Sequence, residues 1–280
     1  MSEFESIVMP ASAQLYTGLT CALLVLIPFL FTVIWREKCG EAARWKALLI
    51  GAAGFLISAR VLEMGVHALC LMVDSPVSRF ITGNPVAYIL YGASMAGLFE
   101  EAGRHVILKH FVKKANTREN AVMYGIGHGA AEVLAVTLPQ ALLFFSIVRA
   151  FSNGNIGQAM ETLGINAETA AAALPAVQAA AGFDAGAMLI TVLERFMCMW
   201  LHIMLTVIVY YGVQARQKRW TVIAVLLHMA ADLVPAASQI MEIPPAFTEM
   251  WVLMVTLVIC VIAVPLYKKL RSHTRDTRLK

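Results

Sequence analysis

The sequence has few charged residues. Only 14% of its 280 positions are Asp, Glu, Lys or Arg, whereas a soluble domain carries about 25%. Apolar residues make up 59%, and several of their runs approach or exceed the roughly 20 residues that a helix needs to cross a bilayer. This composition excludes an ordinary soluble globular protein and predicts an integral membrane protein surrounded by membrane lipid.

Cysteine is also scarce, and its placement excludes a disulfide framework. Four of the five cysteines lie in apolar runs and the fifth, Cys39, lies in a short basic segment, which is not the pattern of a cross-linked secreted domain. The first residues are acidic, with no basic stretch before the first apolar run, so we expect no cleaved signal peptide. The sequence contains no internal repeat and no soluble segment, and we predict one integral membrane domain over residues 1–280.

The apolar runs predict an all-α fold, a polytopic membrane helix bundle of about seven transmembrane helices. The predicted spans are approximately 13–35, 46–73, 84–109, 120–149, 184–213, 220–238 and 246–267. The longest connection, 151–183, contains the helix-prone stretch AETAAAALPAVQAAA, in which we expect Pro175 to break or kink the helix. This connection is either a lid over the outer face or a plain connector.

Basic residues occur in alternate loops and so predict the orientation of the bundle. Lys and Arg are frequent in 36–46, 109–118, 216–219 and the C-terminal tail, whereas 74–83, 150–183 and 239–245 together contain only Arg79. The positive-inside rule places the N-terminus outside and the C-terminus in the cytoplasm, in a multi-pass protein of the plasma membrane. The net charge of +4 follows from this bias and does not indicate a nucleic-acid partner.

Ionisable side chains interrupt five of the predicted spans, although each charge at the centre of a bilayer costs about 2.5 kcal/mol or more. These residues are Arg60, Glu63, His67, Glu100, Glu101, Arg104, His105, His128, Glu132, Glu194, Arg195, His202, His228 and Asp232. Several pairs are four residues apart and share a helical face, among them Glu100 with Arg104 and His228 with Asp232. Successive residues diverge by about 100°, so the two adjacent glutamates make different contacts.

Four of these residues are predicted to lie at one depth. At about 1.5 Å per residue, Glu100 lies roughly 13 Å from the cytoplasmic end of its span, His128 and His228 roughly 12 Å, and His202 roughly 16 Å. We therefore expect a carboxylate oxygen of Glu100 or Glu101 within water-bridged reach of the His128 and His228 rings. The cavity that holds them is expected to open toward the cytoplasm.

Structural roles are the alternative for some of these residues. A transmembrane His or Glu often forms a hydrogen bond between helices, and for Glu63 and His67 this interpretation is as good as a functional one. Glu194 and Arg195 are adjacent, which favours a structural ion pair.

The segment YGIGHGAAE, residues 124–132, places small residues on both sides of His128. Small residues let helices pack closely, and they would also leave space beside the ring for a water molecule or a peptide. A carboxylate near imidazoles can take a proton from water, and imidazoles can hold a metal or donate to an oxyanion. The H-E-x-x-H motif of soluble zinc proteases is absent, so separate helices would have to supply the ligands.

Zinc is the metal that these residues favour. A catalytic zinc usually has three protein ligands and one water, and His128, His202 and His228 could supply three imidazoles from three helices. Glu132 or Asp232 would then be a fourth ligand, or an acceptor that orients a ring nitrogen. The competing interpretation is hydrolysis without a metal, in which His202 forms a hydrogen bond between helices.

Four short motifs, in sequence order, resemble those of the CAAX-protease and bacteriocin-processing superfamily of intramembrane proteases. EEAGR (100–104) resembles its E-E-x-x-R motif, YGIGH (124–128) its F-x-x-x-H motif and HMAAD (228–232) its last motif. HIMLT (202–206) resembles the additional histidine motif of the PrsW-like branches. The GIGHGAAE form and the seven-span layout are most similar to the YhfC family of membrane metalloproteases.

This resemblance implies hydrolysis of a peptide bond, in a membrane protein or peptide substrate, by a glutamate-activated water. It implies that the glutamate pair of EEAGR holds the base, that Arg104 pairs with or orients that pair, and that His128 helps bind the water or metal. His228 and Asp232 correspond to the pair that stabilises the oxyanion or completes the metal site. Asp232 stands where the prenyl-protein members have Asn, and a carboxylate is a poorer oxyanion donor but a better metal ligand.

Two other functions are compatible with a polar membrane bundle. A catalytically silent relative could serve as a scaffold or an immunity protein, although such members typically lose the glutamate pair that this chain retains. A proton-coupled transporter could relay protons along Glu and His side chains. An inverted repeat with broken half-helices would favour the transporter, and the sequence shows no convincing sign of one.

Overall fold

The computed structural model describes residues 4, 6–110 and 117–270. These residues form α-helices with short 3₁₀ and π-helical segments, and the described part of the chain contains no β-strand. The predicted all-α membrane helix bundle is therefore confirmed. Residues 111–116 and 271–280, which carry part of the predicted cytoplasmic basic charge, lie outside the described residues.

Long helices dominate the chain. The α-helices are α1 (Ala11–Cys39), α2 (Trp45–Phe55), α3 (Met64–His67), α4 (Pro76–Gly83), α5 (Pro85–His110), α6 (Arg118–Glu132), α7 (Leu138–Phe151), α8 (Ile156–Thr162), α9 (Ala170–Ala181), α10 (Ala185–Gln214), α11 (Arg219–Ser238) and α12 (Pro245–Lys269). Gly40–Ala42 is a 3₁₀ segment, and π-helical segments cover Leu56–Glu63, Ala68–Met72 and Val133–Thr137.

Six helical stretches in the described part of the chain are long and apolar enough to cross a membrane. They are Ala11–Ala42, Trp45–Met72, Arg118–Phe151, Ala185–Gln214, Arg219–Ser238 and Pro245–Lys269. Each coincides with a predicted span, and the ends of most differ from the prediction by only one or two residues. The chain is therefore a multi-pass membrane protein.

The remaining predicted span, 84–109, corresponds to α5. This helix has 26 residues, which is long enough to cross a bilayer, but it is not among the six apolar stretches. Its C-terminal half contains Glu100, Glu101 and Arg104, and these charges lower its hydropathy. The count of seven spans and the outside N-terminus stay predictions.

The described residues group into two compact units. The first comprises those of Met1–Ile27 and Val133–Arg195, and its core includes Val148 and Phe151 of α7, Met160 of α8 and Val177 of α9. Helix α9 continues through Pro175, so the helix does not break there, and the alternative of a kink stays a prediction. Proline fixes φ near its helical value and removes only one backbone donor.

The second unit comprises the described residues of Pro28–Glu132 and Phe196–Lys280. Within it α5 packs against α11 and the π-helical segment Leu56–Glu63, α2 packs against α6, and α11 packs against α12. All the residues predicted for the site belong to this unit. The prediction of one membrane domain over the whole chain stays a prediction.

Candidate functional site

Separate helices of the second unit bring the predicted side chains together. The buried members are Glu100, Glu101 and Arg104 from α5, His128 from α6, His202 from α10 and His228 from α11. The carboxylates reach the imidazoles directly, so the predicted proximity of the glutamate pair to His128 and His228 is confirmed. The site therefore depends on helix packing, since its residues come from four helices.

Glu100 lies between two imidazole rings. Its Oε2 accepts a hydrogen bond from His128 Nε2 at 2.9 Å and lies 3.8 Å from His202 Nδ1. The two ring centroids are 4.8 Å apart. The other oxygen of this carboxylate, Oε1, is not part of the hydrogen bond with His128.

Glu101 points in a different direction, as the 100° step along a helix requires. Its Oε1 accepts hydrogen bonds from Arg104 Nη1 and, at 2.9 Å, from His228 Nδ1. The other nitrogen of His228, Nε2, lies 3.4 Å from Asp232 Oδ2, which is longer than a well-formed N–H···O bond. The second glutamate therefore holds the arginine and orients the His228 ring.

The contacts of His202 fix which of its nitrogens carries the proton. The guanidinium of Arg104 can only donate, and its Nη2 lies 3.0 Å from His202 Nδ1. Nδ1 must then be the acceptor, which leaves the proton on Nε2. Nε2 donates to Glu132 Oε2.

Glycines position His128 by letting α6 approach its neighbours closely. A Cβ at Gly127 would overlap the backbone carbonyl of Leu48 on α2, and one at Gly125 would lie 2.7 Å from Ile203 Cα on α10. The predicted close packing around this histidine is therefore confirmed. The Phe55 ring contacts the His128 ring edge-on, with centroids 5.3 Å apart, so the imidazole is enclosed on its apolar side.

Glu63 and His67 lie in a separate polar contact. His67 Nε2 is 3.2 Å from Glu63 Oε1, and His67 Nδ1 is 2.9 Å from the hydroxyl of Tyr91 on α5. This is the hydrogen bond between helices that the structural interpretation describes. In the first unit, Glu194 and Arg195 form the adjacent ion pair expected of them.

Comparison with known proteins assigns the chain to a family. Residues 23–257 match the model of the family described as YhfC intramembrane metalloprotease. The chain belongs to this family. Over 216 residues it is 28% identical to "Uncharacterized membrane protein YhfC" of Bacillus subtilis (strain 168), which covers 77% of this chain and 81% of that protein. No solved structure matches the chain.

The YhfC family resemblance that the motifs suggested is thus confirmed. Its placement within the CAAX-protease and PrsW-like superfamily stays a prediction. The family description implies a metal ion, and the site itself provides two observations that test whether a metal would fit.

The first observation is that the site contains buried polar atoms with unused bonding capacity. His128 Nδ1 and Glu101 Oε2 are buried and have no hydrogen-bond partner among the described residues. Such atoms are rare in native proteins, and a bound water or ion is one of the arrangements that satisfies them. With Nε2 donating to Glu100, Nδ1 of a neutral His128 ring carries a lone pair.

The second observation is the donor set. Ligand atoms of Glu100, His128 and His202 lie within 4.8 Å of one another, and these three residues are buried. Two imidazoles and one carboxylate, with room for a water, are the ligands of several catalytic zinc sites. The residues present therefore fit a catalytic divalent metal.

His228 lies beside this group, its ring centroid 5.5 Å from that of His202. Its nitrogens face the carboxylates of Glu101 and Asp232, and its role as a third imidazole ligand stays a prediction.

A second possible ligand group joins Glu132 and His202 to Cys198. Sequence reasoning missed Cys198, because a cysteine in an apolar helix is typical of a core residue. Its spacing of four residues from His202 is the signal that could have identified it.

Proposed function

We propose that the protein is an intramembrane endopeptidase of the plasma membrane that hydrolyses a peptide bond in a membrane protein or peptide substrate. The reaction uses a glutamate-activated water in the cytoplasmic half of the bilayer. The observation that carries this proposal is the buried Glu100 carboxylate, held between the imidazoles of His128 and His202. A carboxylate near neutral imidazoles, away from bulk water, is suited to general-base catalysis.

The two oxygens of Glu100 have different tasks in this proposal. Oε2 accepts the hydrogen bond from His128 Nε2, which fixes the side chain, while Oε1 takes the proton from the attacking water. Glu101 is less suited to be the base because its Oε1 already accepts hydrogen bonds from the Arg104 guanidinium and from His228 Nδ1.

His228 is suited to stabilise the developing oxyanion. Glu101 holds its Nδ1 at 2.9 Å, so the ring orientation is fixed before substrate binds. The contact of Nε2 with Asp232 is longer, at 3.4 Å, and a substrate carbonyl oxygen can take the place of that carboxylate. Because Nδ1 already donates to Glu101, Nε2 can donate to the developing charge only in the doubly protonated ring, the form that a carboxylate at each nitrogen favours.

Glu100, His128 and His202 would hold the metal that the family implies, and zinc is the cation that their donor set favours. When bound, zinc would polarise the attacking water and lower the pKa of that water to about 7. Arg104 would then have to release His202 Nδ1, which it contacts at 3.0 Å.

The test of this function compares Glu100→Gln with the wild type. The purified protein is placed in lipid vesicles with a panel of single-span membrane peptides, and products are identified by mass spectrometry. The change is nearly isosteric, so the fold should persist while turnover falls about 100-fold or more, the scale of general acid–base groups. Glu63→Gln is the matched control: it removes another buried glutamate and should retain turnover.

Full turnover in Glu100→Gln would refute the mechanism. Metal analysis of the same preparations tests the zinc assignment separately. We expect stoichiometric zinc in the wild type and its loss, together with activity, in His202→Ala. An active preparation without stoichiometric metal would overturn the metal assignment and leave Glu100 as the base.

A further inference from the structure

We propose that Glu132, Cys198 and His202 form a second cation site, which contains a thiolate and lies on the opposite edge of the His202 ring from Glu100. Cys198 Sγ is 3.2 Å from Glu132 Oε2, and His202 Nε2 donates to the same oxygen. One ligand atom from each residue lies within 4.8 Å of the other two. Cys198 and His202 are four residues apart, on one face of α10.

The chemistry of the three donors selects a thiophilic divalent cation such as Zn²⁺ or Cd²⁺. Thiolate and imidazole favour these ions over Mg²⁺ or Ca²⁺. Ligands of a tetrahedral zinc, at about 2.0–2.3 Å from the metal, are separated from one another by about 3.3–3.7 Å. The 3.2 Å between the sulfur and the carboxylate oxygen is close to that range, so small side-chain shifts would complete the site.

Charge and burial also support this site. One thiolate and one carboxylate neutralise a divalent cation, which avoids a net charge in a low-dielectric interior. Cys198 and His202 are buried, but the Glu132 side chain is 21% exposed. Two of the three ligands are therefore out of contact with bulk water, where a neutral site costs least.

The positions of the protons link this site to the first possible metal group, which consists of Glu100, His128 and His202. Without metal, the Cys198 thiol and His202 Nε2–H both donate to Glu132 Oε2. When a divalent cation binds there, the thiol releases its proton to solvent and the ring proton of His202 moves from Nε2 to Nδ1. Nδ1 can then neither accept from Arg104 nor bind a cation beside Glu100, because a neutral imidazole has one lone pair.

The two cation sites therefore compete for His202. Occupation of the thiolate site withdraws this histidine from the Glu100 and His128 group. This inference concerns cation binding and does not depend on peptide hydrolysis, so a failure of the proposed function leaves it open to its own test.

The test is a Co²⁺ titration of the purified full-length protein in detergent, followed by absorption spectroscopy. A cysteine thiolate bound to Co²⁺ gives a sulfur-to-metal charge-transfer band in the near ultraviolet, which carboxylate and imidazole ligands do not give. We expect this band in the wild type, its loss in Cys198→Ser, and at least about a tenfold weaker Co²⁺ affinity in Glu132→Gln, since even indirect metal contacts are worth 10–100-fold. Glu100→Gln should keep the band.

A variant in which Cys198 is the sole cysteine provides the control for folding and for the other thiols. Cys21, Cys39, Cys70 and Cys260 are free and can be replaced by serine together, and the band should persist. Gel filtration establishes that each variant is folded. A wild-type protein that binds Co²⁺ without the band, or a band that survives in Cys198→Ser, would overturn the proposal, as would its absence from the sole-cysteine variant.

Discussion

At the scale of single residues, the guanidinium of Arg104 connects the two halves of the site. It donates to Glu101 through Nη1 and to His202 through Nη2, and both members of its ion pair with Glu101 are fully buried. Removing one partner of such a pair leaves the other charge uncompensated, which costs about 3–5 kcal/mol. Arg104 therefore stabilises the fold of the site and also sets the tautomer of His202.

We predict that Arg104→Met lowers the free energy of unfolding by about 3–5 kcal/mol, because the Glu101 carboxylate is left buried without its cation. Denaturant unfolding in detergent measures the change. Adding Glu101→Gln to this variant should restore part of the loss, since the stranded charge is then removed.

Arg79→Met is the matched control for an exposed ion pair. Arg79 contacts Asp74, and these side chains are 63% and 82% exposed, so its loss should change stability by at most about 1 kcal/mol. An equal effect of the two arginine substitutions would contradict the role of burial.

Most of the site could be predicted because its residues are ionisable side chains within apolar segments. A Glu, Arg or His in an apolar helix is costly, and its presence there indicates a partner. Which atoms meet could not be predicted, since the pairing of Glu100 with His128 and of Glu101 with His228 depends on helix rotation. Cys198 is compatible with lipid and protein interiors alike, and nothing in its residue type separates it from a core residue.

At the scale of helices, α2 and α6 pack with their backbones in contact. Cβ atoms at Gly51 and Gly127 would overlap the backbone carbonyls of Tyr124 and Leu48, respectively. Backbone atoms cannot move aside as a flexible side chain can. The position of His128 therefore depends on the absence of a side chain at Gly127, the residue before it.

We predict that Gly127→Ala pushes α2 and α6 apart and lowers the free energy of unfolding by about 1–3 kcal/mol, the usual effect of overpacking. It should also weaken metal binding, because His128 is displaced with the helix. Thermal unfolding and metal analysis measure the two effects.

Gly65→Ala serves as the comparison, because nothing lies within 4 Å of a Cβ at this helical position. It should leave stability unchanged or raise it by up to about 1 kcal/mol through helix propensity. Destabilisation by Gly65→Ala as large as that by Gly127→Ala would indicate that helix contact is not the cause.

The π-helical segments are the part of the helices that sequence did not predict. Leu56–Glu63 and Ala68–Met72 interrupt the α-helical geometry of the second predicted span. Hydropathy depends on composition, which a change from i→i+4 to i→i+5 hydrogen bonding leaves unaltered. The contact of His67 with the hydroxyl of Tyr91 could therefore be found only from the structure.

At the scale of the whole molecule, the predicted spans and the helices coincide because hydropathy and charge placement are both properties of long segments. In the part of the chain that the structure describes, six stretches are apolar enough to cross the bilayer, and α5 decides whether the number of crossings is odd or even. If α5 crosses, Asp74 before it and Lys109 near its end lie on opposite sides of the membrane.

We predict that α5 crosses, with Asp74 outside and Lys109 in the cytoplasm. Asp74→Cys and Lys109→Cys are introduced one at a time into a background in which the five natural cysteines are serine. A membrane-impermeant maleimide applied to intact cells should label position 74 at once and position 109 only after permeabilisation. Labelling of both positions from one side would show that α5 does not cross.

The charges of α5 also affect how the protein is made. An Arg at the centre of a helix raises the free energy of inserting that helix into lipid by about 2.5–3.5 kcal/mol. Helix α5 is therefore expected to insert poorly on its own. Glu101 can pair with Arg104 on its own helix, but its other partner, His228, is 127 residues later in the chain. During translation Glu101 lacks this second partner until α11 has emerged. We therefore expect the site to be completed only after α11 has been made and has packed against α5.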